Sequence, residues 1–575
     1  MDNKQIAKIF DEMGNILEIQ GEGFFRVNGY RKGVVVIENL AEDLRKVVKE
    51  DPKKVEEIPG IGKGLAEKIV ELVTTGKCKS YEKLKKDFPM TLLEMLDIRG
   101  LGPKKIKLFY DELGIKTVEE LKKAAEGHLL QELPKMGVKS ETEILEAIKE
   151  RALFSTDRSL IHDAMREAER YKAYMKECPE VEQIDYAGSL RRWQESIGDI
   201  DILVGVSEPA KVVEKIMKYF IGYDEVLNVI AEGNTKSSVI LNSGIQTDLR
   251  VIENKSFGAA LHYFTGNKEH NIIIRDIAKN RGLKVNEYGL FEGEKQLAGD
   301  TEESMYNALG VPWMPPEIRK GDDEFEYGVK HQKFPKFVEL KDIKGDLHMH
   351  SVYSDGQREV EEMVMACMAR GYEYCAMTDH SGSMGVTQGL DDKKAKQQWK
   401  EIEKINEKLK GKFTVLRGCE VDILKDGALD FSDEILKELD VVIISAHIHN
   451  RLPGEEQTKR LIRAIEHPSS RILGHPTGRL INKRPEMEFD MEKIIKACAA
   501  NNVIMEINSN PSRLDLPDKY LRGAKDEGVK FIINTDSHDT DQLEFMKFGV
   551  GIARRGWLEA DDVVNTYKLE NTPWG

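Results

Sequence analysis

Two aspartates separated by one residue stand in an alternating segment of this chain, DIDILV at residues 199–204. Alternation of polar and apolar residues predicts a half-buried strand. Residues two apart on a strand face the same side, so Asp199 and Asp201 would present two carboxylates together. Like charges this close repel unless a cation lies between them. Paired carboxylates suit Mg²⁺, which often completes its coordination shell with substrate phosphates and water.

A third carboxylate comes from a later predicted hairpin. Residues 238–252 alternate on both sides of an Asn-Ser-Gly turn, which places Asp248 among apolar neighbours. A Gly-Ser turn with Arg191 and Arg192 precedes the paired aspartates, and guanidinium groups bind phosphate oxygens bidentately. A single Asp-x-Asp is more often a solvated strand face paired with arginine. The combination predicts a two-metal phosphoryl-transfer site instead.

The same residues carry a resemblance to a known family. G-S-x-R-R, G-D-I-D-I-L-V, a later D-L-R and then Y-F-T-G resemble the family X DNA polymerases, a branch of the nucleotidyltransferases, from near the amino terminus to about Trp313. The resemblance implies that Asp199 and Asp201 hold two ions, Mg²⁺ or Mn²⁺. It also implies that Asp248, a further metal ligand, activates the primer 3′-hydroxyl.

Binding residues for nucleotide and DNA follow from this resemblance. Those that match contacts to the triphosphate are Arg158, Gly188, Ser189, Arg192 and Gly198. Those that match the surroundings of the sugar and the nascent base pair are Tyr263, Phe264, Gly266, Asn271 and Arg275. Those expected near the template or primer backbone are Lys236 and Arg250. Trp193 departs from the pattern, since the family usually has a small residue after the arginine pair.

Glycine-rich turns near the amino terminus predict DNA binding. IPGIGKGLAEKIVEL from residue 58 and IRGLGPKKIKLFYDELG from residue 98 place such turns before amphipathic helices, and a weaker copy begins at residue 133. Such turns expose backbone N–H groups that can bind a DNA phosphate. The pattern resembles the helix-hairpin-helix motif of repair proteins; the alternative is a helical array that does not bind DNA. The residues expected to contact DNA are Gly60, Gly62, Gly64, Lys68, Gly100, Gly102 and Lys104.

Lys68 has a second interpretation through the family. Some family X enzymes carry at this position a lysine that forms a Schiff base with an abasic sugar, which requires a lowered lysine pKa. The lysines that support it in the family are replaced here by Gly64 and Arg26. We therefore interpret Lys68 as a phosphate contact.

From Lys344 onward, short apolar strands alternate with helical stretches, and the strands end in potential metal ligands. Seven such units predict a parallel sheet closed into a barrel, with its site at the carboxyl ends of the strands. Histidine at five strand ends exceeds what satisfied core residues explain. His, Asp and Glu without Cys suit Zn²⁺, Mn²⁺ or Fe, up to three ions. The expected ligands are His348, His350, Asp355, His380, Glu420, His447, His475, Asp536 and His538.

These strand ends resemble another known domain. D-x-H-x-H-S-x-x-S-D-G, T-D-H, G-x-E-V-D, G-H-P and T-D-S-H are similar to the polymerase and histidinol phosphatase (PHP) domain, with all nine ligand positions filled. Arg479, after Gly-His-Pro-Thr-Gly, is a candidate phosphate clamp, and His449 has no assigned role. The resemblance implies a metal-dependent 3′–5′ exonuclease, with abasic-site (AP) endonuclease or 3′-phosphatase action.

Length and composition frame these motifs. A chain of 575 residues predicts about four domains, and 40% hydrophobic with 33% charged residues is typical of a soluble protein. Six cysteines without a C-x-x-C pair, no long apolar run and no leader predict a cytoplasmic chain without a membrane span. The net charge of −15 argues against a polyanion binder held by bulk charge alone.

The expected architecture is multidomain, with helical helix-hairpin-helix domains, an α/β nucleotidyltransferase palm, a small α+β subdomain and a distorted (β/α)7 barrel. The expected ranges are an 8-kDa-like domain at 1–85, a helix-hairpin-helix subdomain at 86–153, the palm at 154–253, the nucleotide-binding subdomain at 254–314, an extended linker at 315–338 and the PHP domain at 339–575.

The combined prediction is a monomeric, template-directed polymerase that fills short gaps during base excision repair. It would act on gapped or primer-template DNA with dNTPs, and its barrel would act independently beyond the linker. One alternative is a template-independent nucleotidyltransferase, against which the duplicated DNA-binding turns argue. The other is a non-catalytic scaffold that binds DNA ends, against which the complete set of acids and histidines argues.

Overall fold

The structure, a computed structural model, describes the chain except residues 2, 39, 41–43, 59, 99–100, 135, 155–157, 234 and 383–388. It divides into two compact units, Met1–Thr156 and Asp157–Gly575, each built around its own hydrophobic cores. No helix in the described part of the chain combines the length and the apolar composition that a bilayer crossing needs.

The amino-terminal unit is helical, as its apolar periodicity predicts. Phe10, Ile69 and Phe109, which come from well-separated segments, are fully buried in a common core. The helices are α1 (Asn3–Gln20), α2 (Phe24–Glu38), α3 (Leu44–Glu50), α4 (Lys54–Glu57), α5 (Lys63–Thr75), α6 (Lys79–Asp87), α7 (Pro103–Leu113), α8 (Val118–Glu126) and α9 (Val138–Phe154).

The two glycine-rich segments have the same backbone plan. Gly62 precedes α5 and Gly102 precedes α7, and both glycines have extended backbone. Each helix then ends at a left-handed glycine, Gly76 or Gly114. The two copies predicted from the sequence are therefore structural repeats, although Gly100 lies outside the described residues.

The palm is a mixed sheet covered by helices. Its strands follow the order β2-β4-β7-β6-β5, and β4 and β7 are parallel while the other neighbours are antiparallel. The hairpin predicted across residues 242–244 is the pair β6 and β7. The elements are β1 (Ser159–Leu160), α10 (Ile161–Met175), β2 (Gln183–Tyr186), α11 (Gly188–Arg191), β3 (Ser196–Ile197), β4 (Asp199–Val206), α12 (Pro209–Ile221), β5 (Val226–Glu232), β6 (Lys236–Leu241) and β7 (Gln246–Glu253).

A small subdomain follows, with a three-stranded antiparallel sheet in the order β10-β9-β8. Its helices pack around a core of their own that contains the fully buried Leu290 and Leu309. The elements are α13 (Phe257–Thr265), α14 (Lys268–Lys279), β8 (Lys284–Asn286), β9 (Gly289–Glu292), β10 (Lys295–Ala298) and α15 (Glu302–Ala308).

The segment at 315–338, which we call the bridging segment, is folded and contains α16 (Glu324–His331). Arg319 within it is buried and donates to the Met314 carbonyl at 2.8 Å and to Glu302 Oε1 at 2.6 Å. The extended linker predicted from its prolines and acidic residues was wrong. Three charged residues of this segment, Glu317, Arg319 and Glu324, are buried and paired inside the fold, whereas others such as Asp322 and Glu326 are exposed.

The last part of the chain is a seven-stranded parallel sheet in sequential order, β11 to β17. The His350 N–H donates to the Ser537 carbonyl at 2.8 Å, which joins the segments just after the first and the last strand and nearly closes the predicted (β/α)7 barrel. The elements are β11 (Gly345–Asp346), α17 (Val360–Ala369), β12 (Tyr374–Met377), α18 (Asp392–Leu409), β13 (Thr414–Asp422), α19 (Asp433–Leu436), β14 (Val441–Ser445), α20 (Gly454–Ile465), β15 (Ile472–Leu473), α21 (Met491–Asn501), β16 (Ile504–Asn508), α22 (Asp518–Asp526), β17 (Phe531–Asn534) and α23 (Met546–Arg555).

Palm, small subdomain and barrel belong to one compact unit. The bridging segment contributes ion pairs of 2.6 Å between Glu317 and Arg554 and between Asp323 and Arg522 of the barrel. The separate barrel expected from the sequence is therefore packed against the polymerase part. The finer domain boundaries stay a prediction.

Glu302→Ala should destabilise this unit by about 3–5 kcal/mol, because it leaves the buried Arg319 without its carboxylate. Burial alone would raise the pKa of Glu302, but Arg319 and Arg191 lower it. The loss in free energy of unfolding relative to wild type should therefore have its full size above about pH 4.5 and become smaller as the pH falls below that. The midpoint of denaturant unfolding measures the effect, with the exposed Glu303→Ala as control. Equal unfolding midpoints for both variants would show that the pairing of Glu302 with Arg319 does not stabilise this unit.

Candidate active sites

Three aspartates converge at one end of the palm sheet. Parallel pairing places Asp201 directly opposite Asp248, across β4 and β7. Asp199 precedes Asp201 by two residues and faces the same side. Carboxylate oxygens of all three lie within 4.8 Å of one another. Asp199 is exposed and Asp248 is buried, so the cluster extends from solvent into the sheet.

The three carboxylates do not ionise alike. Burial, reinforced by Asp199 and Asp248, raises the pKa of Asp201 to about 6. Burial would also raise the pKa of Asp248, but hydrogen bonding led by Lys236 lowers it. The Lys236 ammonium lies 2.6 Å from Asp248 Oδ2, so a residue expected beside the DNA backbone lies in the carboxylate cluster itself. A cluster in which one carboxylate resists ionisation favours cation binding.

Three predicted glycines occupy positions that disfavour a side chain, two through close contacts and two through a left-handed backbone. A Cβ at Gly188 would lie 2.7 Å from Asp201 Oδ2, and one at Gly198 would lie 2.9 Å from Arg158 Nη1. Gly188 and Gly266 both have a φ of 66°, in the left-handed region that favours glycine. The turn at residues 188–198 can therefore approach Asp201 and Arg158 this closely only with glycine at positions 188 and 198.

The two adjacent arginines have different partners. Arg191 donates to both oxygens of Glu302 at 3.0 and 2.8 Å, so the prediction that it binds phosphate was wrong. Arg192 donates to the Thr265 carbonyl, and its buried Nε has no hydrogen-bond partner among the described residues. Burial, with Arg555 nearby, lowers the pKa of Arg192 to about 10. A buried guanidinium with a free donor favours an anionic ligand.

Predicted base-pair and sugar contacts cluster on α13 and α14. Asn271 Nδ2 donates to the Tyr263 carbonyl at 2.7 Å, and Arg275 lies one helical turn further along α14. The rings of Tyr263 and Phe264 meet edge to face at 5.1 Å. The Arg250 guanidinium, expected near DNA, stacks 4.3 Å from the centre of the Phe264 ring. The set therefore forms a connected surface beside the palm.

Glu420, at the centre of the barrel site, is buried on β13. Its Oε1 lies 2.9 Å from His475 Nε2 and 3.1 Å from His447 Nε2. Its Oε2 lies 2.9 Å from His380 Nδ1 and 3.3 Å from His348 Nε2. These histidines follow four different strands. A carboxylate so surrounded is suited to bridge metal ions.

The remaining predicted ligands complete the cluster. His350 Nε2 lies 3.1 Å from Asp536 Oδ1, and His538 Nε2 lies 3.4 Å from Asp355 Oδ1. Burial, reinforced by His538, lowers the pKa of His350 to about 3, so its imidazole is neutral, the form that binds metal. All nine residues predicted as barrel ligands therefore lie at one rim.

Unpaired polar atoms test whether this cluster fits metal ions. The atoms approach one another closely, yet several buried ones make no hydrogen bond of acceptable geometry within the part of the chain that the structure describes. They are His348 Nε2, His350 Nδ1, His380 Nδ1, His475 Nδ1 and Glu420 Oε2. Unsatisfied polar atoms in an interior cost free energy unless a ligand pairs with them. The donor set fits divalent metal ions.

Two carboxylates that the sequence analysis did not single out support these histidines. Glu506 on β16 lies 2.6 Å from His348 Nδ1, and Asp422 on β13 lies 2.9 Å from His447 Nδ1. Each bond fixes the ring orientation and leaves Nε2 facing the centre of the cluster. A glutamate within the apolar strand VIMEIN was the available signal for Glu506.

The candidate phosphate clamp of the barrel is engaged elsewhere. Arg479 donates to Glu195 of the palm at 3.0 and 2.6 Å, so the prediction that it binds phosphate in the barrel was wrong. Arg513 lies at the rim instead, with its Nε 3.3 Å from Asp536 Oδ2. Sequence spacing could not show which of these two arginines lies beside the metal-ligand cluster, because both follow strand ends.

The amino-terminal unit has its own candidate site. An open cavity of about 710 Å³ beside Gly60, Gly62 and Gly64 has no acidic residue among its described lining. Lys68 Nζ donates to the Gly64 carbonyl at 2.7 Å, and Lys104 is exposed on α7. The basic lining residues are Arg26, Lys32, Lys63, Lys68 and Lys83. Such a cavity suits an anion.

Four family models match separate parts of the chain. Residues 1–78 match a helix-hairpin-helix domain, and residues 92–150 match a SAM-like helix-hairpin-helix tandem. Residues 260–320 match the DNA polymerase beta thumb, and residues 346–510 match the PHP domain. Each match covers a region with the fold expected there.

Similar proteins include one related along the whole chain. The DNA polymerase/3′-5′ exonuclease PolX of Bacillus subtilis is 38% identical, over 99% of this chain and 98% of its own. DNA polymerase lambda of Arabidopsis thaliana is 27% identical over 55% of this chain and 62% of its own. A probable phosphatase of Clostridium acetobutylicum is 40% identical over 22% of this chain and 52% of its own. Together with the two metal-suited clusters, these relationships show that the chain belongs to the family X DNA polymerases that carry a carboxyl-terminal PHP domain.

Proposed function

We propose that this chain is a template-directed DNA polymerase that fills short gaps in base excision repair, with a 3′–5′ exonuclease in its barrel. The convergence of Asp199, Asp201 and Asp248 within 4.8 Å carries the polymerase proposal. The helix-hairpin-helix regions support DNA as the substrate, and the Bacillus subtilis relative is named for both activities.

At the palm, Asp199, Asp201 and Asp248 would hold Mg²⁺ or Mn²⁺, because carboxylate oxygens are the donors these ions prefer. Such ions supply positive charge to the phosphates and to the attacking oxygen. Asp248, kept ionised beside Lys236, would accept the proton of the primer 3′-hydroxyl. The raised pKa of Asp201, at about 6, makes metal loading weaker below that pH.

Nucleotide binding would use the turn and the small subdomain. The proposed triphosphate contacts are Arg158, Gly188, Ser189, Arg192 and Gly198. The proposed contacts to sugar and base pair are Tyr263, Phe264, Gly266, Asn271 and Arg275. The unpaired Nε of Arg192 supports a phosphate partner at this turn. Lys236 and Arg250 would border the DNA.

In the barrel, the nine-residue cluster would hold Zn²⁺, Mn²⁺ or Fe, up to three ions, because imidazoles with bridging carboxylates suit transition metals. Such ions supply Lewis acidity that activates water for phosphodiester hydrolysis. Glu506 and Asp422 would keep the imidazoles oriented, and Arg513 would bind a phosphate of the DNA end. The same chemistry would extend to AP-site cleavage and 3′-phosphate removal.

In the amino-terminal unit, the two glycine-rich turns would contact the backbone of gapped or primer-template DNA. Lys68 lies at the basic cavity and is bonded to a carbonyl, which supports a phosphate contact over a Schiff-base nucleophile. The proposed contacts are Gly60, Gly62, Gly64, Lys68, Gly100, Gly102 and Lys104.

Asp248→Ala should lower single-nucleotide gap filling by about a thousandfold or more, because it removes the proposed proton acceptor. Binding of gapped DNA should stay within about threefold of wild type, since affinity depends on phosphate contacts elsewhere. Rapid-quench incorporation and a fluorescence binding titration measure the two quantities. The exposed Asp224→Ala of the same domain is the control. Wild-type incorporation by Asp248→Ala would contradict the palm assignment, because the catalytic carboxylates would then lie elsewhere in the chain.

His350→Ala should lose bound transition metal and 3′–5′ exonuclease activity, because one imidazole leaves the barrel cluster. Gap filling should persist, since His350 is not among the residues proposed to bind nucleotide or DNA. Elemental analysis of the purified protein and both activity assays measure this, with the exposed His449→Ala as matched control. Full exonuclease activity in His350→Ala would show that the nuclease lies elsewhere.

Gly62→Val should weaken binding to gapped DNA by about tenfold at moderate salt, because its side chain would occupy the path of a phosphate. A Cβ at Gly62 meets no described protein atom within 4 Å, so the unit should still fold. Gly523→Val on α22, where a Cβ is equally unobstructed, is the matched control. Equal affinities for the two variants, measured across a salt series, would show that the turn is structural.

A further inference from the structure

Trp193, the departure from the family pattern, lies between the palm and the barrel. It has a left-handed φ of 54° and lies against α23 of the barrel. A Cβ at Gly551 would lie only 2.5 Å from the Trp193 ring, and the Phe548 ring contacts the indole with centroids 6.2 Å apart. The indole therefore fits a notch that a glycine creates in the barrel surface.

Two residues further along the same turn, Glu195 is held by the barrel. Arg479 donates to its two oxygens at 3.0 and 2.6 Å in a bidentate pair. Arg479 is itself fixed, because its Nε donates to the Arg513 carbonyl at 2.8 Å and its Nη2 donates to the Leu514 carbonyl. Because the planar guanidinium of Arg479 is bonded on both sides, it can rotate little, and it therefore fixes Glu195 relative to the barrel.

The backbones of two proposed triphosphate contacts are also held from the barrel. Asn482 Nδ2 donates to the Arg158 carbonyl at 2.8 Å. Arg555 Nη1 donates to the Arg192 carbonyl at 2.9 Å, while its Nη2 lies 2.9 Å from Asp518 Oδ2. The barrel thus contacts the 188–198 turn and the backbone of Arg158, which directly precedes β1, at several separate points.

We propose that the barrel is a structural part of the polymerase nucleotide site, and that Arg479, Asn482 and Arg555 are positioning residues for the incoming triphosphate. They act through Glu195 and through the backbone carbonyls of Arg158 and Arg192. The proposal rests on the polymerase function proposed above. A loop that is already held in its binding conformation loses less entropy when the ligand binds, so its support lowers the KM for nucleotide.

Glu195→Gln tests the proposal from the palm side, because it keeps the shape of the side chain and removes the charge that Arg479 grips. In full-length protein, KM for dNTP should rise about tenfold with kcat within about twofold, as expected for lost ground-state binding. Arg479→Lys, which keeps the charge but not the fork, should give an intermediate KM. The double variant Glu195→Gln with Arg479→Ala should have no larger KM than Arg479→Ala alone.

Two further variants separate positioning from folding. Asn482→Gly keeps the left-handed backbone at this position, φ 61°, and removes the side-chain amide that donates to the Arg158 carbonyl, so it too should raise KM for dNTP. Asp440→Asn disrupts a similar fork with Arg417, whose distances are 3.2 and 3.1 Å, elsewhere on the barrel, and should leave KM unchanged.

Wild-type KM for dNTP in both Glu195→Gln and Asn482→Gly, with unfolding midpoints unchanged, would overturn the proposal. Additive effects of Glu195→Gln and Arg479→Ala would overturn it as well, because the residues would then act separately. Failure of the wild-type chain to incorporate any nucleotide would refute the proposed function itself, so the two failures are distinguishable.

Discussion

Parallel strand pairing is the constraint on which both candidate sites depend. In the palm, the parallel neighbours β4 and β7 place Asp201 opposite Asp248, which an antiparallel register would have separated along the sheet. In the barrel, seven parallel strands direct their carboxyl ends to one rim, where Glu420 meets histidines from four other strands. Carboxylates brought together in this way repel one another, and buried polar atoms are left without hydrogen-bond partners of good geometry among the described residues. Divalent ions would relieve that cost in the palm and in the barrel alike.

Local periodicity was enough to predict the parts of the sites that lie on regular elements. A period of two placed Asp199 and Asp201 on one face, and strand-end histidines marked the rim before any contact was known. The glycine-rich turns before α5 and α7 could also be predicted from the sequence, because they depend only on local backbone geometry. The fold class, and the side chains that the fold brings together in each cluster, were therefore predictable from signals within about ten residues of each feature.

Partners that are distant in the chain could not be predicted in this way. Arg191 and Arg192 are adjacent, yet only the folded chain shows that Glu302, more than a hundred residues later, engages the first. Arg479 and Arg513 both follow strand ends, and only packing shows that one is bonded to Glu195 and the other lies beside Asp536. Glu506 was missed because a glutamate inside an apolar strand indicates a buried partner but does not identify it as His348.

The buried Arg319 has a consequence for how this chain can be taken apart. Its guanidinium is shielded from water and depends on Glu302 of the small subdomain, while neighbouring Glu317 and Asp323 are bonded to the barrel. A cloning boundary or a protease cut within residues 315–338 would leave these charges stranded at a newly exposed apolar surface. The prolines that resemble a hinge therefore do not mark a point of dissection, and neither half can be transplanted without its partner.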